Sequence, residues 1–250
     1  MNKQETSATP PFPGRARRAP ELWGAEAQFF EVNGERVAAD PAGVLWWPER
    51  ETLVVADMHF EKGSSYARRG VFLPPYDTRE TIRKLSDVMA RLEPSTVVSL
   101  GDAFHDKGAE ARLDEEDEDA LAALTRRADW VWIAGNHDPA PPKRFRGMVC
   151  EQLSLGGLMF RHEPTADVAP GEVSGHLHPV AKVRTPGHSV RRRCFATDGR
   201  KLILPAFGAY TGGLNVLDTA FQPVFSGALT ALMLGSGRVY PVAERDLIAD

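Results

Sequence analysis

The sequence predicts a single α/β domain, with a parallel sheet in its first half and mostly β-structure in its second. Three observations carry this. Three apolar runs of buried-strand type alternate with two helical patterns up to about residue 133. Beyond about residue 148 only short β-prone runs remain, punctuated by Gly and Pro. The chain has 250 residues, 42% of them apolar, which suits one large core better than two small ones.

Residues 1–22 are rich in Pro, Ala, Arg and polar residues and lack apolar periodicity. They read as a disordered N-terminal arm, with a single domain over 23–250. Arg15, Arg17 and Arg18 have no apolar core behind them, so the arm does not read as a signal peptide. Order is expected to begin near Phe29. Asn33-Gly34 between β-prone runs marks a hairpin turn. Residues 53–56 are a short, β-branched buried strand. Asp77 with Glu80 suggests a capping box. Ile82, Leu85, Val88, Met89 and Leu92 then recur at helical spacing, and Pro94 ends the helix. Residues 97–100 form the next strand. A second helix is expected over 114–127, acidic at its start and basic at Arg126 and Arg127, as the helix dipole favours. Residues 130–133 are the third strand. The β-prone runs of the second half are 153–155, 158–161, 180–183, 191–197, 202–204 and 239–242.

Cys150 and Cys194 make neither a disulfide framework nor a C-x-x-C pair, which fits a reducing, cytoplasmic setting. The net charge of −4 excludes a strongly basic nucleic-acid binder but not a local basic groove. No apolar run reaches the ~20 residues of a membrane span.

Chemistry concentrates in the histidines. Six of the seven fall in or beside short clusters: Asp57-Met58-His59, Gly101-Asp102 with His105-Asp106, Gly135-Asn136-His137-Asp138, His162, and Gly175-His176-Leu177-His178. The first three clusters each follow one of the three strands, and the carboxyl ends of parallel strands are where sites assemble. Imidazole, carboxylate and amide oxygen suit Mn²⁺, Fe or Zn²⁺, and the lack of thiolates argues against a structural zinc. The clusters offer more ligands than one ion uses. Two ions ~3.5–4 Å apart, sharing a carboxylate, would use them all.

D-x-H, G-D, G-N-H-D, H and G-H-x-H, in that order, resemble the signature of the calcineurin-like metallophosphoesterases over about residues 50–180. The resemblance implies two mixed β-sheets packed as a sandwich flanked by helices (αββα), with the site at the sheet edge. It implies Asp57, His59 and His178 as ligands of a first metal and Asn136, His162 and His176 as ligands of a second. Asp102 would bridge the two. His137 would donate to the phosphate and protonate the leaving oxygen, with Asp138 orienting it. His105 and Asp106 fit less clearly, as substrate-facing or merely structural residues. Two such cations would make hydroxide available near neutral pH and neutralise phosphate charge.

The stretch from His59 to Thr78, Gly101-Asp102-Ala103-Phe104-His105-Asp106, the arginine-rich run at 191–193, and the segments 204–208 and 210–213 resemble a narrower group. This is the bacterial ligase-associated DNA damage response endonuclease family, a manganese-dependent branch. It implies DNA phosphodiester cleavage in repair, two divalent ions (Mn²⁺ first), and DNA as substrate. A DNA-repair ligase or helicase encoded nearby would be a partner. Open β edges in the C-terminal half would allow a homodimer. Candidate backbone-binding groups are Lys62, Arg68 and Arg69, then Lys143, Arg144 and Arg146, then Arg191, Arg192 and Arg193, weighed against a plain solvated face. His105, Arg68, Arg69 and Arg192 lead for the substrate, with Phe60, Tyr66, Phe104 and Tyr210 as nearby aromatics. A small-molecule (nucleotide) phosphodiesterase or phosphatase is the alternative. A non-catalytic scaffold is disfavoured because every expected ligand position is filled.

Overall fold

In the computed structural model the described residues are 7–8, 26–138, 144–166 and 169–250. The expected disordered arm lies outside them apart from Ser7–Ala8 (β1), and so does Lys143. The three apolar runs read as strands become neighbours in one sheet. This sheet contains Gln28–Val32 (β2), Glu35–Ala39 (β3), Leu45–Trp47 (β4), Thr52–Val55 (β5), Thr96–Leu100 (β6), Asp129–Ile133 (β7) and Met148–Cys150 (β8), in that order. β2 to β5 are antiparallel and β5 to β8 parallel. Asn33 and Gly34 both have positive φ, 51° and 78°, as a two-residue hairpin turn requires.

Two crossover helices cover the outer face of this sheet. Lys62–Ala67 (α1) is a short helix beyond β5, followed by Asp77–Leu92 (α2) and Glu115–Thr125 (α3). The 3.6-residue spacing of Ile82, Leu85, Val88, Met89 and Leu92 buries that stripe against Leu53, Val55, Val97 and Trp130. The helix start differs from the expected capping box. Asp77 lies inside the first turn, and its carboxylate accepts the Gly63 N–H at 2.9 Å. A Cβ at Gly63 would sit 2.6 Å from that carboxylate, so the pairing needs glycine. For α3 the cap is Asp114, which accepts the Asp117 N–H at 2.8 Å. Its acidic start also meets α2, since Arg79 pairs with Asp114, Glu116 and Asp117.

The second sheet is built from Gln152–Leu155 (β9), Leu158–Arg161 (β10), Glu172–Ser174 (β11), Pro179–Thr185 (β12), His188–Thr197 (β13), Leu202–Ile203 (β14), Leu214–Asn215 (β15), Thr230–Leu234 (β16) and Val239–Ala243 (β17). Its order is β1-β9-β10-β11-β14-β13-β12-β15, and β16 joins β13 to β17. The inner faces meet in an apolar layer where Val54, Val98, Val131 and Trp47 face Phe160, Val173, Phe195 and Leu232. This is the sandwich that the resemblance implies. The helical flank is one-sided, however. The apolar cluster formed by Ala181, Cys194, Ala196, Ala231 and Met233 is completed by Val216, Phe221, Val224 and Leu247, none of them in an α-helix. Edge strands in this half are short or carry Pro241, which blunts edge-to-edge pairing. Among the described residues no helix is long and apolar enough to cross a membrane.

Phe160 is fully buried between the sheets and stands 6.3 Å from the Trp47 ring. Phe160→Ala is expected to cost about 3–5 kcal/mol, seen in urea unfolding as a lower midpoint at unchanged slope. A loss under about 1 kcal/mol would mean that the cavity collapses and the layer is not close-packed.

Candidate metal centre

The loops just beyond β5, β6 and β7 carry Asp57 and His59, Asp102, and Asn136 and His137. His162 follows β10, and His176 and His178 lie between β11 and β12. Five of these residues have left-handed backbone: Asp57 (φ 52°), His59 (46°), Asp102 (45°), His176 (68°) and His178 (47°). Such conformations cost about 1–3 kcal/mol each and persist only where the surroundings fix them. The surroundings here are other loops of the same site. His59 N–H donates to Asp102 O at 2.9 Å, and Gly175 N–H to His162 O at 3.0 Å.

The motif glycines make room for a neighbouring motif. A Cβ at Gly101 would lie 2.6 Å from the His162 ring, at Gly135 2.2 Å from the Asp102 backbone nitrogen, and at Gly175 2.5 Å from Asp57 Oδ2. Each glycine therefore admits a side chain from a distant part of the chain.

Two groups of donor atoms result. Ligand atoms of Asp57, His59 and His178 lie within 4.8 Å of one another, as do those of Asp102, His162 and His176. In the first group, His178 Nε2 is 3.2 Å from His59 Nε2 and 3.3 Å from Asp57 Oδ1. In the second, Asn136 Oδ1 is 2.8 Å from His162 Nε2 and 3.0 Å from His176 Nδ1. Asp102 Oδ2 stands between the groups, 4.0 Å from His59 Nε2 and 3.4 Å from His162 Nε2.

These contacts fit cations. Among the described residues Asp57 Oδ1 is buried without a hydrogen-bond partner, as is rare for a carboxylate oxygen. His162 Nδ1 lies 2.8 Å from Leu100 O, and a carbonyl can only accept, so Nδ1 carries the proton. In the neutral ring Nε2 is then bare and faces Asn136, Asp102 and His176. A backbone carbonyl behind a ring whose other nitrogen faces inward is the usual support of a metal-binding histidine. Burial, then the His178 ring, lowers the His59 pKa to about 2, so it is neutral as a ligand must be. For His162, burial pulls the pKa down, but the Asp102 hydrogen bond and the Asp57 and Asp102 charges outweigh it and raise it to about 9. Without cations, a proton on His162 thus stands against these carboxylates.

The remaining expected residues divide. His137 reaches the centre: its N–H donates to Asp102 Oδ1 at 2.9 Å, and Nε2 is 3.8 Å from Asp102 Oδ2 on a side chain 41% exposed. The expectation that Asp138 orients His137 is corrected. The His137 Nδ1–H donates to His105 O at 2.9 Å, while Asp138 is buried and accepts the Phe104 N–H at 3.0 Å. Burial, partly offset by that N–H, pushes the Asp138 carboxyl up to about 7. His105 belongs to the site, its ring stacked on His137 with centroids 5.4 Å apart. Asp106 is structural, held by both Arg112 Nη atoms at 3.0 and 2.7 Å.

Arg68 and Arg69 are exposed at the end of α1, and Lys62 is half-buried with its charge felt by His59 and His105. Arg192 is exposed, and its guanidinium donates to Arg191 O rather than to any site residue. Arg144 pairs with Glu110 and Glu118, and Arg191 with Asp250. Phe60 and Phe104 are core residues, leaving Tyr66, against His105, and Tyr210 as accessible aromatics. The carbonyls of Leu100 and His105 were not legible in the sequence, because every residue carries a carbonyl.

A family model for calcineurin-like phosphoesterases matches residues 51–194. The chain belongs to the calcineurin-like phosphoesterases. As a metallophosphoesterase it is a metal-dependent hydrolase of a family that binds two divalent metals, and it presents two candidate sites for them. Its structure is similar to that of the Pseudomonas putida nuclease MPE, with 29% identity, a TM-score of 0.67, and coverage of 86% of this chain and 100% of that one. Matches also include the phosphoesterase YfcE from E. coli, at 16% identity over 77% of this chain and 98% of that one, with a TM-score of 0.37. A conserved predicted phosphoesterase from Streptococcus pneumoniae matches at 15% identity over 77% and 97%, with a TM-score of 0.29. The last two superpose too loosely to carry an argument. No curated protein matches the chain.

Asp102→Ala is expected to deplete both metals and abolish activity. His137→Ala should keep near-normal metal content and lose about 10²–10⁴-fold in turnover. Elemental analysis beside rate measurements checks both, and a metal-free His137→Ala protein would contradict this division. A pH test follows from His162, whose pKa is raised from 6.5 to about 9. Its charged contacts stabilise the metal-free fold fully below pH 6.5 and are lost as pH rises to about 9. Metal-free melting temperature should therefore fall across that window while divalent-cation affinity rises, because binding must release the proton. A metal-free stability that is flat over this range would refute the protonated His162.

Proposed function

We propose that this calcineurin-like phosphoesterase is a two-metal-dependent phosphodiesterase that cleaves DNA as an endonuclease in repair, with Mn²⁺ as its working metal. One observation carries the reading: a single oxygen, Asp102 Oδ2, stands between two donor groups, next to a half-exposed histidine. The similarity to a nuclease over 86% of the chain supports a nucleic acid as the class of substrate.

The first ion would be held by Asp57, His59 and His178, the second by Asn136, His162 and His176, and Asp102 would serve both. When bound, the cations acidify water and neutralise phosphate charge. The chain's own residues do the rest. His137 is fixed through Nδ1 by the His105 carbonyl, so its other nitrogen is aimed outward beside Asp102. As imidazolium it can bond a phosphate oxygen and hand a proton to the departing alkoxide. Lys62, Arg68 and Arg69 on and beside α1 offer positive charge to a polyanion approaching that face. Free Cys150 and Cys194 fit a cytoplasmic setting, and a repair ligase or helicase fits the same reading.

Purified protein should nick plasmid or oligonucleotide DNA with Mn²⁺ and stop after chelation. Brisk hydrolysis of bis-p-nitrophenyl phosphate or cyclic nucleotides with no nicking of single-stranded or duplex DNA would defeat the nuclease reading. The double variant Arg68→Ala, Arg69→Ala should weaken DNA cleavage, leave the small diester largely unaffected, and lower the salt slope by roughly 1–2. Equal losses on both substrates would count against a DNA-binding role for these arginines.

A further inference from the structure

Arg193, on β13, is a mostly buried guanidinium that the site described above does not use. Among the described residues it forms no ion pair, and burial lowers its pKa. An arginine without a counter-charge is costly to bury unless its protons find acceptors. It finds them in one loop. Nη1 lies 3.0 Å from Ala206 O and 3.5 Å from Phe207 O, and Nη2 lies 2.9 Å from Gly208 O, 3.4 Å from Ala209 O and 3.3 Å from Thr211 O. The rigid planar fork sets the curvature of residues 206–211 around itself.

That loop in turn holds the first donor group by its backbone. Phe207 N–H donates to Ala56 O at 2.9 Å, and Gly208 N–H to Asp57 O at 3.1 Å. At Gly208 a Cβ would lie 2.2 Å from Met58 O, the carbonyl between Asp57 and His59. Farther along, a Cβ at Gly213 would lie 2.3 Å from His178 O. One segment therefore meets the backbone of Asp57 and of His178 and the Met58 carbonyl that precedes His59, and all three donors have left-handed φ. We propose that Arg193 is a positioning residue for the first cation site, acting by shaping the 206–213 segment that fixes Asp57, His59 and His178. The inference rests on the two-cation reading above.

The test is a calorimetric Mn²⁺ titration of the chelator-stripped full chain, comparing the parent with Arg193→Met and Arg193→Lys. The parent is expected to bind two equivalents. Arg193→Met should weaken one equivalent by about 10–100-fold and spare the other. Arg193→Lys, whose ammonium reaches fewer carbonyls, should fall between them. A folded Arg193→Met protein that binds both equivalents like the parent, or weakens both equally, overturns the proposal even if its melting temperature drops. Should Arg193→Met fail to fold, Gly208→Ala takes its place, since it pushes on the Met58 carbonyl with the guanidinium intact. The same unequal loss is expected there, and equal affinities overturn the proposal. A parent chain that binds fewer than two equivalents overturns the two-cation reading itself, which separates the two failures.

Discussion

The rest of the structure depends on an electrostatic constraint at one end of the sandwich. Two carboxylates, an amide oxygen and four imidazoles converge in a largely buried volume, with facing nitrogens 3.2 Å apart in each donor group. Lone pairs at that distance repel unless a proton or a cation lies between them. The Asp102–His162 contact at 3.4 Å allows the proton solution: burial opposes the Asp102 charge, but the His162 hydrogen bond and charge outweigh it and lower the Asp102 pKa to about 2. Divalent cations are the stronger solution, and they satisfy Asp57 Oδ1 as well, which accepts no hydrogen bond among the described residues.

Holding such a cluster requires a frame that does not relax. Parallel strands β5, β6 and β7, buried on both faces, end side by side and deliver three of the loops. The second sheet delivers His162, His176 and His178 from the opposite layer. The apolar core between the sheets sets the distance between the two sources of donors. Asymmetry in the outer layers is consistent with this arrangement. Both crossover helices connect the parallel strands β5, β6 and β7 of the first sheet, which no hairpin can join. The second sheet mixes hairpin pairs such as β9–β10, β12–β13 and β16–β17 with parallel pairs such as β10–β11 and β11–β14, and loops cover its outer apolar face.

Much of this was legible in the sequence because periodicity and motif order report on it directly. The strands 53–56, 97–100 and 130–133 read as apolar runs, and the stripe on α2 read as a helix. The glycines beside Asp102, Asn136 and His176 are visible in the motifs, but the close approaches they permit are visible only in the fold. What escaped was tertiary. Asp77 looks like a capping residue, yet its carboxylate serves Gly63, fourteen residues upstream. Asp138 looks like the partner of His137, yet a backbone carbonyl takes that place. Arginines 191, 192 and 193 look alike in sequence. Strand alternation and local partners give them three different uses: a surface ion pair, a solvent-facing chain and a partly buried clasp. Phe60 and Phe104 look like site aromatics by position, but they face each other in the core at 5.5 Å.

The most direct test of the account is anomalous diffraction from crystals grown with Mn²⁺. It predicts two peaks ~3.5–4 Å apart, one among Asp57, His59 and His178 and the other among Asn136, His162 and His176, with Asp102 touching both. A single peak, or ions bound away from these side chains, would contradict it.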